Sequence, residues 1–302
     1  MRFAIYQSSR QGGRKYNQDR LAYSYSKDAL LMVVADGMGG HFHGEVAAQI
    51  TAQLIAESFQ KQSRPALKAP FQFLESALLG AHNAISDYSL ENDLLESPRT
   101  TCVACVVQRG MAYWAHVGDS RLYFFRDGRL LARTRDHSRV QLMFEQGEIT
   151  EAQMTTHPDR NKIYNCLGGP IPPKVELSEK TPIREGDTLL LCSDGLWGVL
   201  SVNEIAAILG AYPIDRAVPE LLDHAELRGG LSGDNLSAIG MTWGGRGHAP
   251  AVSTVGMPLD SFTTQLDEFG AGREADNRKT VSDDEIDRAI AEIQNAIKKY
   301  SN

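Results

Sequence analysis

The sequence predicts an α+β fold: a central antiparallel β-sandwich flanked by helical pairs. Three observations predict it. Strand-like runs rich in β-branched and aromatic residues come in hairpin-like groups, and helical patterns come in pairs instead of alternating with strands. Between two of the runs, Val117-Gly118-Asp119-Ser120-Arg121 reads as a tight turn.

In chain order, strands are predicted at 3–7, 21–25 and 30–35, where Leu30–Ala35 is a continuous apolar run. Helices follow at 44–59, with Ala47, Ile50 and Leu54 on one face, and at 71–90. Strands at 100–107, 111–117 and 121–125 precede a helix at 138–146. A strand at 188–192, a helix at 202–209 and a strand at 236–242 complete a body expected to span residues 1–243. Residues 244–280 mix Gly, Pro, Ser and Thr without periodicity, as expected of a flexible linker. An amphipathic helix is expected over 281–302. Ser282-Asp283-Asp284-Glu285 forms a capping-box pattern, Ile286, Ile290, Ile293 and Ile297 make one stripe, and Lys298 and Lys299 suit its C-terminal dipole. That stripe must dock on its own domain, a second copy or a partner.

The chain has 302 residues, of which 42% are hydrophobic and 23% charged, enough for a substantial core. No apolar run approaches the ~20 residues that cross a bilayer, and MRFAIYQSSR is too short an apolar stretch for a secretory signal. A formal charge of −7 argues against nucleic-acid and anionic-membrane partners. Four cysteines are too few for a disulfide scaffold, so a reducing, cytoplasmic setting is expected. Cys102-Val103-Ala104-Cys105 matches a redox or zinc expression, but residues three apart on a strand face opposite ways, so these read as small buried hydrophobes.

Chemistry is carried by aspartates beside glycines. Leu31–Ala35 runs into Asp36-Gly37-Met38-Gly39-Gly40, and Leu189–Cys192 runs into Ser193-Asp194-Gly195. Gly233-Asp234-Asn235 immediately precedes the strand at 236–242. In an antiparallel sheet the start of one strand sits beside the end of its neighbour. Asp36, Asp194 and Asp234 can therefore share one rim, with Asp19 reaching it from Asn17-Gln18-Asp19. Two carboxylates ~4 Å apart repel by about 4 kcal/mol at an effective dielectric of about 20, so protons or cations must resolve the cluster. An all-oxygen set without zinc-spaced His or Cys suits Mg²⁺ or Mn²⁺. Each Asp-Gly pair alone reads as an ordinary turn; the combination carries the inference.

These residues resemble the metal-dependent Ser/Thr protein phosphatases of type 2C (the PPM type), in their bacterial form, over about residues 5–243. The resemblance runs through Arg14-x-x-Asn17-Gln18-Asp19, Asp36-Gly37-Met38-Gly39-Gly40, Val117-Gly118-Asp119-Ser120-Arg121 and Asp136-His137-Ser138. It continues through His157-Pro158-x-Arg160-Asn161, Ser193-Asp194-Gly195-Leu196-Trp197 and Gly233-Asp234-Asn235. It implies two or three Mn²⁺ or Mg²⁺ ions. Asp36 would bridge two of them, with the Gly37 carbonyl completing one. Asp194 and Asp234 would hold the other, and Asp19 would act through water. Asp119 would support a third ion with Asp194, and Asn161 would contribute from the flap at 138–168. Arg14 would clamp the phosphate. The implied reaction is direct hydroxide attack on phosphoserine or phosphothreonine monoesters, in opposition to a Ser/Thr kinase, with phosphorylated proteins as partners.

There are two departures from the family pattern. Met38 stands where many eukaryotic members have a histidine thought to protonate the leaving group, and a thioether cannot do so. His41 and His43 are stand-ins of lower standing than coordinated water. Pro98-Arg99-Thr100-Thr101 replaces the usual glycine before the Thr pair without removing a ligand. The alternative reading is a pseudophosphatase, a binding module on the same fold. Retention of Arg14, Asp36, Asp194 and Asp234 argues against it, and metal-dependent hydrolysis of p-nitrophenyl phosphate separates the two.

Overall fold

The computed structural model describes residues 1–38, 43–244, 251–266 and 283–300, and for the last segment side chains from residue 291 onward. Its strands are β1 (Arg2–Arg10), β2 (Asp19–Tyr25), β3 (Ala29–Met38), β4 (Arg99–Gln108), β5 (Met111–Val117), β6 (Arg121–Arg126) and β7 (Arg129–Arg133). They continue with β8 (Glu176–Leu177), β9 (Thr181–Pro182), β10 (Thr188–Cys192), β11 (Leu236–Trp243), β12 (Val252–Ser253) and β13 (Thr263–Leu266). Its helices are α1 (Gly44–Gln62), α2 (Pro70–Glu91), α3 (Arg139–Glu145), α4 (Glu151–Met154), α5 (Asp194–Trp197), α6 (Val202–Ala211), α7 (Ile214–Gly229) and α8 (Asp283–Lys298).

Two antiparallel sheets stack face to face. One runs β12-β1-β11-β10-β6-β7 and the other β13-β2-β3-β4-β5-β8, with β9 also pairing β5. Side-chain alternation assigns the layers. On β3, Leu30, Met32 and Val34 fill the space between the sheets, where they meet Leu122, Phe124, Leu189, Leu191 and Ile239. The alternate residues Leu31 and Val33 face outward into a core with α1 and α2. On the other side, Leu190 and Cys192 pack with Ile205, Val218 and Leu222 of α6 and α7. The expected sandwich with helical pairs is the observed one, and its central strands are buried on both faces.

Local sequence sets the helix ends. Pro70 opens α2, where its missing N–H costs nothing, and Ser201 with Glu204 caps α6 reciprocally. No expected helix corresponds to α7. Pro213 precedes it and Pro219 lies inside it, and both read as breakers although its buried Ile214, Ala217, Val218, Leu221 and Leu222 follow helical spacing. Among the described residues no helix is long and apolar enough to cross a membrane.

The linker expectation for 244–280 needs correction within its described part. Residues 252–253 pair with Arg2 and Phe3, and 263–266 pair with Ala22–Tyr25, so this segment borders both sheets. The two edge strands are very short and β13 is largely exposed, so no apolar period announces them. Residues 245–250 and 267–280 lie outside the described residues, as do Ser282 and the side chains of Ile286 and Ile290. Ile293, Ala296 and Ile297 of α8 are buried in the core shared with α1 and α2, and Tyr300 donates a hydrogen bond to Asp87.

The four cysteines are free. Cys102 belongs to the helix-side core and Cys105 to the inter-sheet core, as their strand spacing requires.

Candidate active site

The site lies at one end of the sandwich, where the inward-facing rows change from apolar to polar. On β2 the row containing Leu21 ends in Asp19, and on β3 the row Leu30-Met32-Val34 continues to Asp36. The same alternation brings Thr101 of β4, Ser193 after β10 and Ser237 of β11 to that end. Asp19 and Asp36 are directly opposed in the β2–β3 ladder. Here β3 runs three residues beyond the expected end at residue 35, through Asp36, Gly37 and Met38, which pair with Thr101, Thr100 and Arg99. Gly37 is required by packing: a Cβ there would lie 2.4 Å from the Gly44 carbonyl oxygen.

The other sheet contributes Asp194 and Asp234. β10 and β11 are antiparallel neighbours with Cys192 opposite Ala238, so the exit of one lies beside the entry of the other. A Cβ at Gly195 would fall 2.1 Å from the Asn235 carbonyl oxygen, which shows how closely these turns approach. Asp119 lies in the turn that carries the chain from β5 in one sheet to β6 in the other. Gly118 takes φ 105°, a conformation that favours glycine.

Asp36, Gly37, Asp119, Asn161, Asp194 and Asp234 line one cavity of about 300 Å³, with Arg14 and Met38 also on its wall. Asp19 stands against it through Asp36. The structure thus brings Arg14, Asp36, Gly37, Asp119, Asn161, Asp194 and Asp234 to one cavity, with Asp19 opposite Asp36. His43 takes φ 108° ahead of α1, and Gly39, Gly40 and His41 lie outside the described residues.

Burial and crowding govern the electrostatics. Burial, then the neighbouring carboxylates, pushes Asp36 and Asp119 well above the usual carboxylate range. For the same reasons, partly offset by hydrogen bonds, Asp19 rises to about 6 and Asp194 to about 7. Asp19 Oδ2 accepts a 2.7 Å bond from Ser193 Oγ, whereas its buried Oδ1 has no hydrogen-bond partner. The Arg14 guanidinium lies 2.5 Å from Asp234 Oδ2, and Arg121 partly offsets the crowding at Asp119. An orphaned buried oxygen in a cage of hard oxygen donors fits divalent cations.

Several supporting residues had no role in the sequence reading. Asn235 accepts from Gln18 N–H and donates to the Gln11 and Tyr16 carbonyls, which fastens the loop carrying Arg14 to the start of β11. Trp197 Nε1 donates to the Asp119 carbonyl at 3.0 Å. Its ring lies 3.6 Å beneath Arg121, which is itself held by two bonds to Asp136. Thr100 Oγ1 is 2.8 Å from the Asp36 carbonyl oxygen. The alternation that orients Met32 and Leu191 was the available signal for Thr101, Ser193 and Ser237.

A larger cleft of about 810 Å³ adjoins the cavity and shares Arg14, Asn161, Asp194 and Asp234 with it. Its outer wall includes Met154 of α4 and Asn161, both from the flap.

Comparison with known proteins gives the same assignment. Residues 7–224 match the family described as protein phosphatase 2C. The chain is 32% identical over 199 residues to a serine/threonine phosphatase, stp, of Listeria monocytogenes, covering 65% of this chain and 78% of that protein. The solved serine/threonine phosphatase of S. agalactiae superposes with TM-score 0.72 at 29% identity, over 80% of this chain and 99% of that one. The catalytic domain of the phosphatase PstP, solved with two manganese ions, gives 0.66 at 28% identity over 80% of this chain and 98% of that one. On its sequence, its layered fold and its relatives, this chain belongs to the protein phosphatase 2C family.

Proposed function

We propose that the chain hydrolyses phosphoserine and phosphothreonine monoesters of proteins in the cytoplasm, in opposition to a Ser/Thr kinase. The observation that carries the reading is the convergence of four carboxylates from separate chain segments on one small cavity with an arginine at its wall, and a fifth, Asp19, opposite Asp36 behind it. Four free cysteines, three of them buried, suit a reducing compartment.

Asp36, the Gly37 carbonyl, Asp194 and Asp234, which line the cavity together, would hold two Mn²⁺ or Mg²⁺ ions. Asp19, held by Ser193, would act through metal-bound water. Asp119 and Asn161 would serve a third ion with Asp194. Bound divalent ions supply Lewis acidity to the phosphoryl group and lower the pKa of water. Arg14 offers a planar, permanently charged fork to two phosphoryl oxygens and fixes the ester in the cavity. The adjoining cleft receives the polypeptide around the phosphorylated residue, so the flap contributes to substrate choice. The tail belongs to the same folded unit, supported by its edge strands and by Ile293 and Ile297 in the helix-side core.

The test is hydrolysis of p-nitrophenyl phosphate and of a phosphothreonine peptide with Mn²⁺, with chelator, and with Asp36→Asn. Turnover that survives the chelator or the substitution would overturn the reading.

A further inference from the structure

His137 lies outside the carboxylate cage and contacts two of the parts around it. Its side chain is only 3% exposed. Nδ1 is 3.1 Å from the Gly118 amide nitrogen and 2.8 Å from Asn165 Nδ2. Both neighbours donate, so Nδ1 presents its lone pair and the ring proton sits on Nε2, 3.2 Å from Glu176 Oε2. The backbone repeats the linkage: His137 N–H donates to the Gly118 carbonyl, and Tyr164 N–H donates to the His137 carbonyl. One residue thus binds the turn just before Asp119 and the returning strand of the flap. From its other side, that turn meets Thr101, whose side chain a Cβ on Gly118 would strike at 2.4 Å.

His116, His137 and Glu176 place possible ligand atoms within 4.8 Å of one another, a composition that suggests zinc. The hydrogen bonds exclude it. Ligation through His137 Nε2 would move the proton to Nδ1, against the fixed Gly118 N–H donor. The rings also stack at 4.7 Å with planes 18° apart, so their in-plane lone pairs do not converge. His116 Nε2 donates to the Arg135 carbonyl at 2.6 Å, in the segment leading into the flap.

We propose that His137 is a positioning residue that couples the flap to Asp119, so that flap order and cation affinity at the Asp119 turn rise and fall together. The proposal rests on the phosphatase reading for its functional meaning, whereas the coupling itself is a property of this hydrogen-bonded path. Loss of an acceptor for a buried backbone N–H disturbs the turn, and the flap loses its anchor in the same event.

The test uses the full chain with His137→Phe, which keeps a stacking ring without an acceptor, and His137→Asn, whose Oδ1 replaces Nδ1. Hydrogen exchange is read at residues 117–119 and 163–166, with direct calorimetric titration of Mn²⁺ and kinetics on both substrates. In the Phe variant, exchange accelerates at both segments, and the weakest Mn²⁺ class and the KM for phosphopeptide each weaken about tenfold. Its kcat on p-nitrophenyl phosphate at saturating Mn²⁺ stays within about twofold, and the Asn variant recovers Mn²⁺ affinity to within about threefold of the parent. Unchanged Mn²⁺ affinity and flap exchange in the Phe variant, or an Asn variant as impaired as Phe, overturns the coupling. If the Phe variant does not fold, Asn165→Ala decides: exchange must rise at 117–119 as well as at 163–166, and intact protection at Gly118 overturns the proposal. A parent protein without Mn²⁺-dependent turnover would defeat the phosphatase reading and leave the exchange result standing.

Discussion

Asp19 and Asp36 face each other across the β2–β3 ladder, so two carboxylates leave the same face of one sheet side by side. Like charges directly opposed on a sheet are destabilising, and burial adds to that cost. The pair persists because the site's chemistry requires concentrated negative charge.

Stability without metal is expected to depend on pH in an unusual direction. A carboxyl whose folded pKa is raised contributes stability below its unfolded value, and that contribution is lost as pH rises through the folded value. With Asp19 at about 6 and Asp194 at about 7, the melting temperature in chelator falls between about pH 5 and pH 8. Saturating Mn²⁺ removes this slope, because cations replace protons in the cage. Thermal unfolding scans with and without Mn²⁺ check both halves, and a flat profile in chelator contradicts the account.

Asp36→Asn should separate stability from activity. Removing one buried charge raises the melting temperature in chelator at pH 7.5, while turnover falls by about a thousandfold or more. Calorimetry and p-nitrophenyl phosphate assays on the same preparation measure the two effects. A destabilised variant would show that the carboxylates do not repel as their raised pKa values indicate.

Arg14→Lys and Arg14→Ala probe the clamp. Its side chain is half exposed, so the fold does not depend on it. Loss of a charged two-point phosphate contact costs about 1.5–3 kcal/mol in kcat/KM, and Lys restores only part of it because an ammonium lacks the planar fork. Steady-state kinetics decide, and an Ala variant with the parent's kcat/KM removes Arg14 from the site's function.

Ile297→Ala tests the tail. The side chain is 1% exposed in the helix-side core, and truncation there costs about 2–4 kcal/mol. Deleting residues 283–302 costs at least as much, read as a lower urea midpoint. Equal midpoints for parent and deletion would make the tail a separate appendage.

Much of this was legible in the sequence because burial leaves periodic traces. The run Leu30–Ala35 announced a strand buried on both faces, and the stripe of Ala47, Ile50 and Leu54 announced α1. The site residues were legible because Asp-Gly pairs recur at strand ends in the order seen in a known family. Features resting on backbone pairing or on single hydrogen bonds left no such trace. β12 and β13 pair with the sheets over too few residues to show a period, and α7 hides behind Pro213 and Pro219. Asn235 and His137 act through acceptor atoms whose partners are distant in sequence, which no periodicity reveals.

The passage of the chain from β5 in one sheet to β6 in the other has a wider consequence. Asp19 and Asp36 belong to one layer, Asp194 and Asp234 adjoin the other, and Asp119 sits on the seam. The distance between the halves of the cage is therefore set by the thickness of the apolar filling behind them. A bulkier or smaller side chain at Met32 or Leu191 changes that spacing without touching the cavity, so a repacking deep in the interlayer is an active-site mutation made at a distance.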